Sequence, residues 1–296
     1  MWYKYLIPVK NGFSTEFSFR MSGGVNSPDA DSTLPGADGI AFVIQNSNPN
    51  TLGSSGGKIG YDPIPNSLAI ELDLYANDKY QIENLGDPCR NHIAVMSKGV
   101  APNSSNHSSG SQLGIAHDII DIKPDGTEYY MKIDYNILPG KLRVSLSDIR
   151  NCYGEPVIEI SNLDISNLLN LSGGEWIYAG FTAATGSSYQ NHDILSWEFC
   201  PRPTDSQQTG ISDTEFNENP ELAIYPNPAG DLLYLNTESG QCKMVSIYNL
   251  TGQLIRTYQL SLGHPRIDIS ELPEGMWFAK IETDEGCITY RKFIKK

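Results

Sequence analysis

The stretch Asn66–Val95 of the chain reads NSLAIELDLYANDKYQIENLGDPCRNHIAV. Successive side chains of a β-strand point to opposite faces, so the apolar residues near its start share one face. These residues are Leu68, Ile70, Leu72 and Leu74. The opposite face carries Glu71, Asp73, Tyr75 and Asn77. One face therefore suits a hydrophobic core, while the other gathers carboxylates that repel each other unless a cation lies between them.

The donor atoms of this stretch suit two kinds of metal ion. Carboxylate oxygens with one imidazole suit manganese or another divalent transition ion, and this set is Glu71, Asp73, Asp87 and His92. An all-oxygen set suits calcium, and it consists of Asp73, Asp87, the Asn77 side chain and the Tyr75 carbonyl. Asp73 and Asp87 could therefore bridge both ions. The alternative is a solvated strand face followed by an acidic loop, but the Asn, Asp-Pro and Asn-His at these offsets favour a metal site.

Composition and local patterning favour an all-β protein. The 296 residues include 16 tyrosines, 27 glycines and 18 prolines, and short alternating segments are separated by turns rich in Gly, Asn, Asp and Ser. The strands predicted in residues 1–200 are EFSFRM, GIAFVIQ, SLAIELDLY, HIAVM, YYMKIDY, KLRVSLSD, WIYAGFTA and ILSWEF. No long amphipathic helix is expected, although SNLDISNLLNL is predicted to form one or two helical turns. This pattern predicts a β-sandwich of the jelly-roll type.

The chain is predicted to contain two domains. Residues 1–200 form the large sandwich, and residues 201–221 are polar and nearly free of aliphatic side chains, as a linker should be. Strand-like alternation resumes in residues 222–296, which are predicted to form a small second all-β domain.

The charge distribution excludes some classes of partner. The formal net charge of −14 lies entirely in residues 1–221, since residues 222–296 contain equal numbers of basic and acidic residues. Such an acidic domain should be repelled by nucleic acid and anionic lipid, so neither is expected as a partner. No stretch stays apolar for the roughly 18 residues that a membrane-spanning helix needs.

The cysteines and the remaining histidines indicate no other site. The five cysteines form no C-x-x-C pair, which argues against zinc or redox chemistry. Cys242 and Cys287 both lie in the last segment and are candidates for a disulfide. His107 and His117 lie in polar surroundings, and no partner is predicted for either.

Separated motifs in the first domain resemble the L-type lectins, the family of the legume lectins with animal and bacterial relatives. The resemblance runs from about Asn11 to Phe199. It rests on GFSTEFSFR, PGADGIAFVIQ, GGKIGY, NSLAIELDLYAN, DPCRNHIAV and YAGFTAATGSSYQNHDILSWEF, in family order. It implies a concanavalin-like jelly-roll sandwich with paired calcium and manganese sites beside a shallow sugar-binding site.

The resemblance also assigns metal ligands. Glu71, Asp73, Asp87 and His92 match the transition-metal ligands of the family, and Asp73, the Tyr75 carbonyl, Asn77 and Asp87 match its calcium ligands. The implied cofactors are Ca²⁺ and Mn²⁺, or another divalent transition metal in place of Mn²⁺. The D-P-x-x-x-H spacing equals that of some legume lectins, whereas the loop before it is longer than in the shortest members.

Two sugar contacts are implied by short glycine-containing motifs. Asp38, in GADG, matches the aspartate that accepts hydrogen bonds from two sugar hydroxyls, and the peptide Ala37–Asp38 is implied to be cis. Gly57, in GKIG, matches the glycine whose backbone N–H meets the sugar. Taken alone, Asp38 would be an Asx turn before a glycine, and Gly57 an ordinary turn glycine.

Four further residues are implied to face the sugar. Asn77 both ligates calcium and donates an amide hydrogen to the ligand, while Tyr75 could present its ring to an apolar sugar face. Ser187 and Ser188 match the variable loop that tunes monosaccharide choice, and an exposed hairpin tip is the alternative for both. Two serines do not identify the sugar.

Two alternatives to a lectin stay open. Some glycoside hydrolases of the same jelly-roll type use an E-x-D-x-x-E or E-x-D-x-E strand, whose glutamates act as nucleophile and acid. Glu71-Leu72-Asp73 matches the first half, but Tyr75 and Ala76 occupy the positions of the second glutamate, so no proton donor is evident. The other alternative is a structural surface module without sugar binding. We therefore predict a carbohydrate-binding protein that is not an enzyme.

Residues 222–296 resemble the type A C-terminal sorting domain of the type IX secretion system of Gram-negative bacteria. The motifs are AIYPNPAGDLLYLN, VSIYNLTGQLI, IDISELPEGMWFAKI and the terminal RKFIKK, with Trp277 where Tyr is more usual. The alternative is a generic β-sandwich module such as a fibronectin-like domain. The resemblance implies recognition by the type IX secretion machinery and export across the outer membrane, followed by release or surface attachment.

Cargo of this kind normally carries an N-terminal signal peptide. The N-terminus, MWYKYLIPVKNGF, lacks the apolar core of a signal peptide. The lectin-like part also starts without room for the first edge strand of the family. We therefore expect that the natural N-terminus lies upstream of Met1.

Overall fold

The computed structural model describes residues 1–27, 35–77, 84–171, 175–202, 222–237, 242–260, 266–283 and 288–296. Most of the predicted linker therefore lies outside the described residues. Within them the chain forms one α-helix, α1 (Ile165–Leu168), and 3-10 turns at Gly56–Lys58 and His107–Ser109. None of the helices in these ranges has the length and apolar character needed to cross a membrane.

The strands, in chain order, are β1 (Ile7–Pro8), β2 (Gly12–Val25), β3 (Gly39–Gln45), β4 (Ser67–Asp73), β5 (His92–Met96), β6 (Gln112–Ala116), β7 (Asp125–Asn136), β8 (Lys141–Ser147), β9 (Ile158–Ile160), β10 (Trp176–Ala184), β11 (Tyr189–Pro201), β12 (Leu222–Tyr225), β13 (Leu232–Thr237), β14 (Cys242–Tyr248), β15 (Leu254–Gln259), β16 (Arg266–Asp268), β17 (Gly275–Thr283) and β18 (Ile288–Lys295). Strands β1 to β11 belong to one compact unit and β12 to β18 to another.

The first unit is a sandwich of two antiparallel sheets. A six-stranded sheet has the order β1-β10-β3-β4-β5-β6, and a five-stranded sheet has the order β11-β2-β7-β8-β9. Aromatic rings fill the space between them. Phe17 of β2 stacks on Phe42 of β3 with ring centroids 6.1 Å apart, and it meets Phe181 of β10 edge-on at 4.9 Å. The predicted all-β sandwich is confirmed.

The central strands of the six-stranded sheet are buried on both faces. Every residue of β3, β4 and β5 is buried. Leu68, Ile70 and Leu72 of β4 belong to the core between the sheets, as the alternation predicts. On the opposite face, a smaller apolar cluster packs Tyr61, from the segment after β3, with Ala69 of β4. The acidic face of β4 therefore lies under a covering segment and not in water.

The sequence pattern identified the interior strands better than the edge strands. Each strand predicted in residues 1–200 is present, and the helical turn predicted in SNLDISNLLNL is α1. The strands that the pattern missed are β1, β6 and β9, each of which lies at a sheet edge. An edge strand has one hydrogen-bonded neighbour and less burial, so its sequence is less strongly constrained.

The second unit is a smaller sandwich with its own core. Its sheets have the orders β12-β13-β16 and β15-β14-β17-β18, and Leu233, Ile247 and Phe293 are among its buried residues. Cys242 is a thiol whose Sγ lies 3.8 Å from the carbonyl oxygen of Glu282. Cys242 therefore does not form the candidate disulfide with Cys287, which itself lies outside the described residues.

A substitution at the start of β3 tests how tightly β3 and β4 are packed. A β-carbon at Gly39 would lie 2.2 Å from the carbonyl oxygen of Leu72, so the two strands would have to separate. We expect Gly39→Ala to destabilise the first unit by about 2 kcal/mol, measured as a lower midpoint of urea unfolding. Gly154→Ala controls for the added methyl group alone, because a β-carbon there meets nothing within 4 Å and the residue lies outside the first unit. Equal midpoints for the two variants would contradict this account.

Candidate functional site

The candidate site lies where three neighbouring strands begin or end at one end of the six-stranded sheet. Asp73, the last residue of β4, pairs with Gly39 of β3 on one side and with His92 of β5 on the other. Glu71 is two residues earlier on the same face of β4. The register of the sheet therefore brings Glu71, Asp73 and His92 together, whereas Asp87 comes from the loop before β5.

Four carboxyl groups are buried at this end of the sheet. They belong to Asp38, Glu71, Asp73 and Asp87. Burial raises the pKa of Asp73 well above its usual range, and the charges of Asp87 and Glu71 raise it further. Burial also raises the pKa of Asp87 to about 7, although the hydrogen bond from the Asn77 backbone opposes this shift. Shifts of this kind show that burial, together with repulsion among the acids, outweighs the favourable charge of His107 near Asp87.

The carboxylate of Glu71 is fixed from one side by a tyrosine. The hydroxyl of Tyr61 donates a hydrogen bond to Glu71 Oε2. Tyr61 is fully buried in the segment that covers β4, and burial followed by the charge of Glu71 raises the pKa of its phenol well above the usual value. Tyr61 therefore remains a neutral donor that leaves Glu71 Oε1 directed toward the histidines.

Two imidazoles meet at the acids, although the sequence indicated one. His92 Nε2 lies 3.2 Å from His107 Nε2, and His107 Nε2 lies 3.2 Å from Glu71 Oε1 and 3.5 Å from Asp87 Oδ1. The sequence named no partner for His107, and the structure places it against His92, Glu71 and Asp87. No spacing rule could have found it, because His107 belongs to a polar loop distant in sequence from β4 and is placed by tertiary structure.

The donor atoms form two overlapping groups that fit metal ions. One group is Glu71, His92 and His107, and the other is Asp73, Asp87 and His92, each with ligand atoms within 4.8 Å of one another. Asn77 Oδ1 is buried and accepts no hydrogen bond from any residue that the structure describes, and the buried Glu71 Oε1 has His107 Nε2 3.2 Å away. Buried acceptors without donors are costly, and a cation would satisfy them. The residues present therefore fit a metal ion.

Asp38 is held at the end of β4 and lies beside the loop after β10. The peptide Ala37–Asp38 is cis, as the resemblance implies. The Asp38 carbonyl oxygen accepts a hydrogen bond of 2.8 Å from Leu74 N, which ties it to the end of β4. A β-carbon at Gly186 would lie 3.6 Å from Asp38 Oδ2. The loop after β10 therefore passes directly beside this carboxylate.

Gly57, Asn77 and Tyr75 are brought to the same end of the sheet. A β-carbon at Gly57 would lie 2.5 Å from Asn77 Oδ1, so the two residues are in direct contact. The backbone N–H of Asn77 donates to Asp87 Oδ2 at 2.5 Å, and that of Tyr75 donates to Asp73 Oδ1 at 2.8 Å. The acids thus hold the backbone from which these side chains project.

The two serines of the variable loop have different environments. Ser187 is exposed. Ser188 is 4% exposed, and its Oγ accepts a hydrogen bond of 2.9 Å from Ser27 N. The loop is also tied to the neighbouring turn, since Gly56 N donates to Thr185 O at 3.3 Å. Of the two hydroxyls, that of Ser187 is the one available to a ligand.

Comparison with known proteins yields two family matches. A model of the legume lectin beta-barrel domain matches residues 2–196, and a model of the secretion system C-terminal sorting domain matches residues 223–296. The second match confirms the resemblance that the terminal motifs indicate. The first matched range contains nearly all of strands β1 to β11, and the second contains nearly all of strands β12 to β18. Each set of strands belongs to one of the two compact units.

Individual relatives agree with the first match. Agglutinin-2 of Cladrastis kentukea is 31% identical over 198 residues, which is 63% of this chain and 57% of that protein. The alpha-methyl-mannoside-specific lectin of Arachis hypogaea is 30% identical over 198 residues, or 62% of this chain and 60% of that protein. The chain therefore spans less than two thirds of the length of either relative.

A solved structure supports the same architecture. The exoplasmic/lumenal domain of VIP36, in its Ca²⁺/Man3GlcNAc-bound form, has a TM-score of 0.50 and 20% identity, covering 70% of this chain and 75% of that one. This likeness concerns the fold alone, and it agrees with the predicted jelly roll. Because the first family model covers more than half of the chain, the protein belongs to the L-type (legume-type) lectin family and joins that domain to a secretion system C-terminal sorting domain.

Proposed function

We propose that the protein binds a glycan through Asp38, Gly57 and Asn77 at a site whose framework is organised by bound cations. The observation that carries this proposal is the convergence of these three residues on a buried cluster of carboxylates and imidazoles. Membership of the lectin family and the mannoside specificity named for the Arachis relative support a carbohydrate as the ligand class.

Each residue has a distinct role in this proposal. The Asp38 carboxylate accepts hydrogen bonds from sugar hydroxyls, and its charge makes them shorter and stronger than neutral ones. The backbone N–H of Gly57 and the side-chain amide of Asn77 donate to sugar oxygens. Tyr75, which is half-buried, offers its ring to an apolar sugar face. Ser187 and Ser188 belong to the loop that adjusts the choice of sugar, and the exposed Ser187 is the better placed for contact.

The ligands proposed for the cations are those assigned from the sequence. Glu71, Asp73, Asp87 and His92 would hold the transition ion, and Asp73, Asp87, Asn77 and the Tyr75 carbonyl would hold calcium. Bound there, the cations would supply the positive charge that the buried acids lack. The chain's own contribution is to fix Asn77 and Tyr75 through the hydrogen bonds that their backbones donate to Asp87 and Asp73.

We propose no catalytic activity. A retaining or inverting hydrolase needs two carboxyl groups that reach the glycosidic bond from the substrate cleft. Glu71 is 1% exposed and bound by Tyr61, so its carboxylate is poorly placed to attack a polysaccharide. A structural surface module that does not bind sugar remains the competing proposal.

The second domain supports export as part of the function. We propose that residues 222–296 direct the protein to the type IX secretion machinery, with residues 201–221 as the linker to the lectin domain at residues 1–200. The protein would then act outside the cell, either released or attached to the surface. A single shallow polar site is expected to bind in the roughly millimolar to high micromolar range, so firm attachment to a glycan surface would require multivalency.

A glycan-array experiment with and without chelator tests the metal-organised site. We expect binding to one sugar class in the presence of Ca²⁺ and Mn²⁺, and complete loss after EDTA, because the acids that hold the framework would again repel each other. Binding should return when both ions are restored. Binding that survives EDTA would contradict the metal-organised site, and no binding by demonstrably folded protein would favour the structural module.

The substitution Asp38→Asn tests the sugar contact itself. It removes the charged acceptor while preserving side-chain shape, and two charge-assisted hydrogen bonds at about 1.5–3 kcal/mol each predict at least a hundredfold weaker binding. Isothermal titration with a ligand identified on the array measures this change. Asp118→Asn is the matched control, since its carboxylate is 99% exposed. Unchanged affinity for Asp38→Asn would exclude Asp38 as a sugar contact.

Deletion of residues 222–296 tests export. In a host that has the type IX machinery, we expect the truncated protein to stay inside the outer membrane while the full chain reaches the surface or the medium. Fractionation followed by immunoblotting measures the distribution. Equal amounts of both forms outside the cell would contradict a sorting role for the second domain.

A further inference from the structure

We propose that His107 is an additional ligand of the transition ion, so that the site contains two imidazoles and favours zinc or another late transition ion over manganese. This inference rests on the metal site of the proposed function and adds to it a residue outside the set Glu71, Asp73, Asp87 and His92. The inference therefore concerns the choice of metal ion at this site.

The loop that carries His107 is built to hold the ring over the acids. His107 begins a 3-10 turn whose N-terminus is capped by Asn106, since Asn106 Oδ1 accepts a hydrogen bond of 2.8 Å from Ser108 N. The backbone N–H of His107 donates to Leu85 O at 2.9 Å. The imidazole is 5% exposed. The position of the His107 ring is therefore well defined, because the side chain is buried and the backbone on both sides of it is hydrogen-bonded.

Hydrogen bonds on the outer nitrogens fix the tautomers of both rings. His92 Nδ1 lies 2.9 Å from the carbonyl oxygen of Cys89, which can only accept, so Nδ1 carries the proton. His107 Nδ1 lies 2.8 Å from Gln112 Oε1 and donates to it in the same way. In the neutral rings, both Nε2 atoms then carry lone pairs. Histidines that bind metals commonly have this arrangement, in which an acceptor holds the opposite ring nitrogen.

The lone pairs of the two rings converge with those of the carboxylates. The Nε2 atoms of His92 and His107 are 3.2 Å apart, and Glu71 Oε1 lies 3.9 Å from the first and 3.2 Å from the second. Asp87 Oδ1 is 3.5 Å from His107 Nε2. Four electron-pair donors therefore face one another, an arrangement that a cation between them would satisfy. One metal ion can satisfy all four, whereas a proton on one ring satisfies a single pair.

The donor set determines which metal fits best. Carboxylates with one imidazole accommodate manganese, whereas each added imidazole favours zinc, nickel, copper or cobalt. His107 would therefore raise the affinity for late transition ions more than the affinity for manganese. The expected consequence is a selectivity for Zn²⁺ over Mn²⁺ that depends on this one side chain.

Proton NMR of the full chain loaded with Co²⁺ tests the ligand assignment. Each imidazole bound through Nε2 keeps its Nδ1 proton, which gives one exchangeable resonance strongly shifted by the paramagnetic ion. We expect two such resonances in the wild type, one in His107→Gln and one in His92→Gln. His117→Gln, which alters an exposed histidine, should retain both. The wild-type spectrum alone is informative even where a variant fails to fold.

The outcomes separate this inference from the proposed function. Bound Co²⁺ with one exchangeable imidazole resonance in the wild type would overturn the role of His107 and leave the metal site intact. Absence of Co²⁺ binding in the folded protein would overturn both. Titration with Zn²⁺ and Mn²⁺ gives an independent measure, in which His107→Gln should weaken Zn²⁺ binding by at least about tenfold and Mn²⁺ binding less. Equal losses for the two ions would contradict the proposed selectivity.

Discussion

The burial of four carboxyl groups at one end of a sheet is the constraint on which the lectin domain depends. Without a cation, burial raises the pKa values of Asp73 and Asp87, so the folded chain holds protons that the unfolded chain would release. The stability gained from these protons is present at low pH, and it is lost as the pH rises through the folded value, which is about 7 for Asp87. A divalent cation would offset the same charge at neutral pH. The stability of the fold and the proposed ion binding are therefore linked.

The sandwich makes this arrangement possible because its central strands are buried on both faces. One face of β4 contributes Leu68, Ile70 and Leu72 to a large core, and the hydrophobic stabilisation of that core can offset the cost of buried charge on the other face. The segment containing Tyr61 then covers the acids and supplies a donor to Glu71. The same cover excludes water, which strengthens any interaction with a bound ion.

Apart from the edge strands β1, β6 and β9, the sequence was sufficient for the strands of the first unit and for the ligands that lie on neighbouring strands. Alternation placed Glu71 and Asp73 on one face of β4, and the pairing of Asp73 with His92 follows from the antiparallel neighbour. It was insufficient for His107, whose position depends on a capped turn in a distant loop. The covering cluster on the acidic face was also missed, because period-two alternation does not reveal what packs on a polar face.

In the proposed function, metal preference and sugar preference would be set by different parts of this site. The donor set for the ion lies on β4, on β5 and in the loops before and after β5, where each side chain is buried and hydrogen-bonded. The loop proposed to face the sugar is anchored by Ser188 to Ser27 N and by Gly56 N to Thr185 O, and Ser187 in it is exposed. Substitution of an exposed loop residue changes few buried contacts, so sugar choice can vary without disturbing the acids. Substitution of a ligand instead alters the charge balance on which the whole end of the sheet depends.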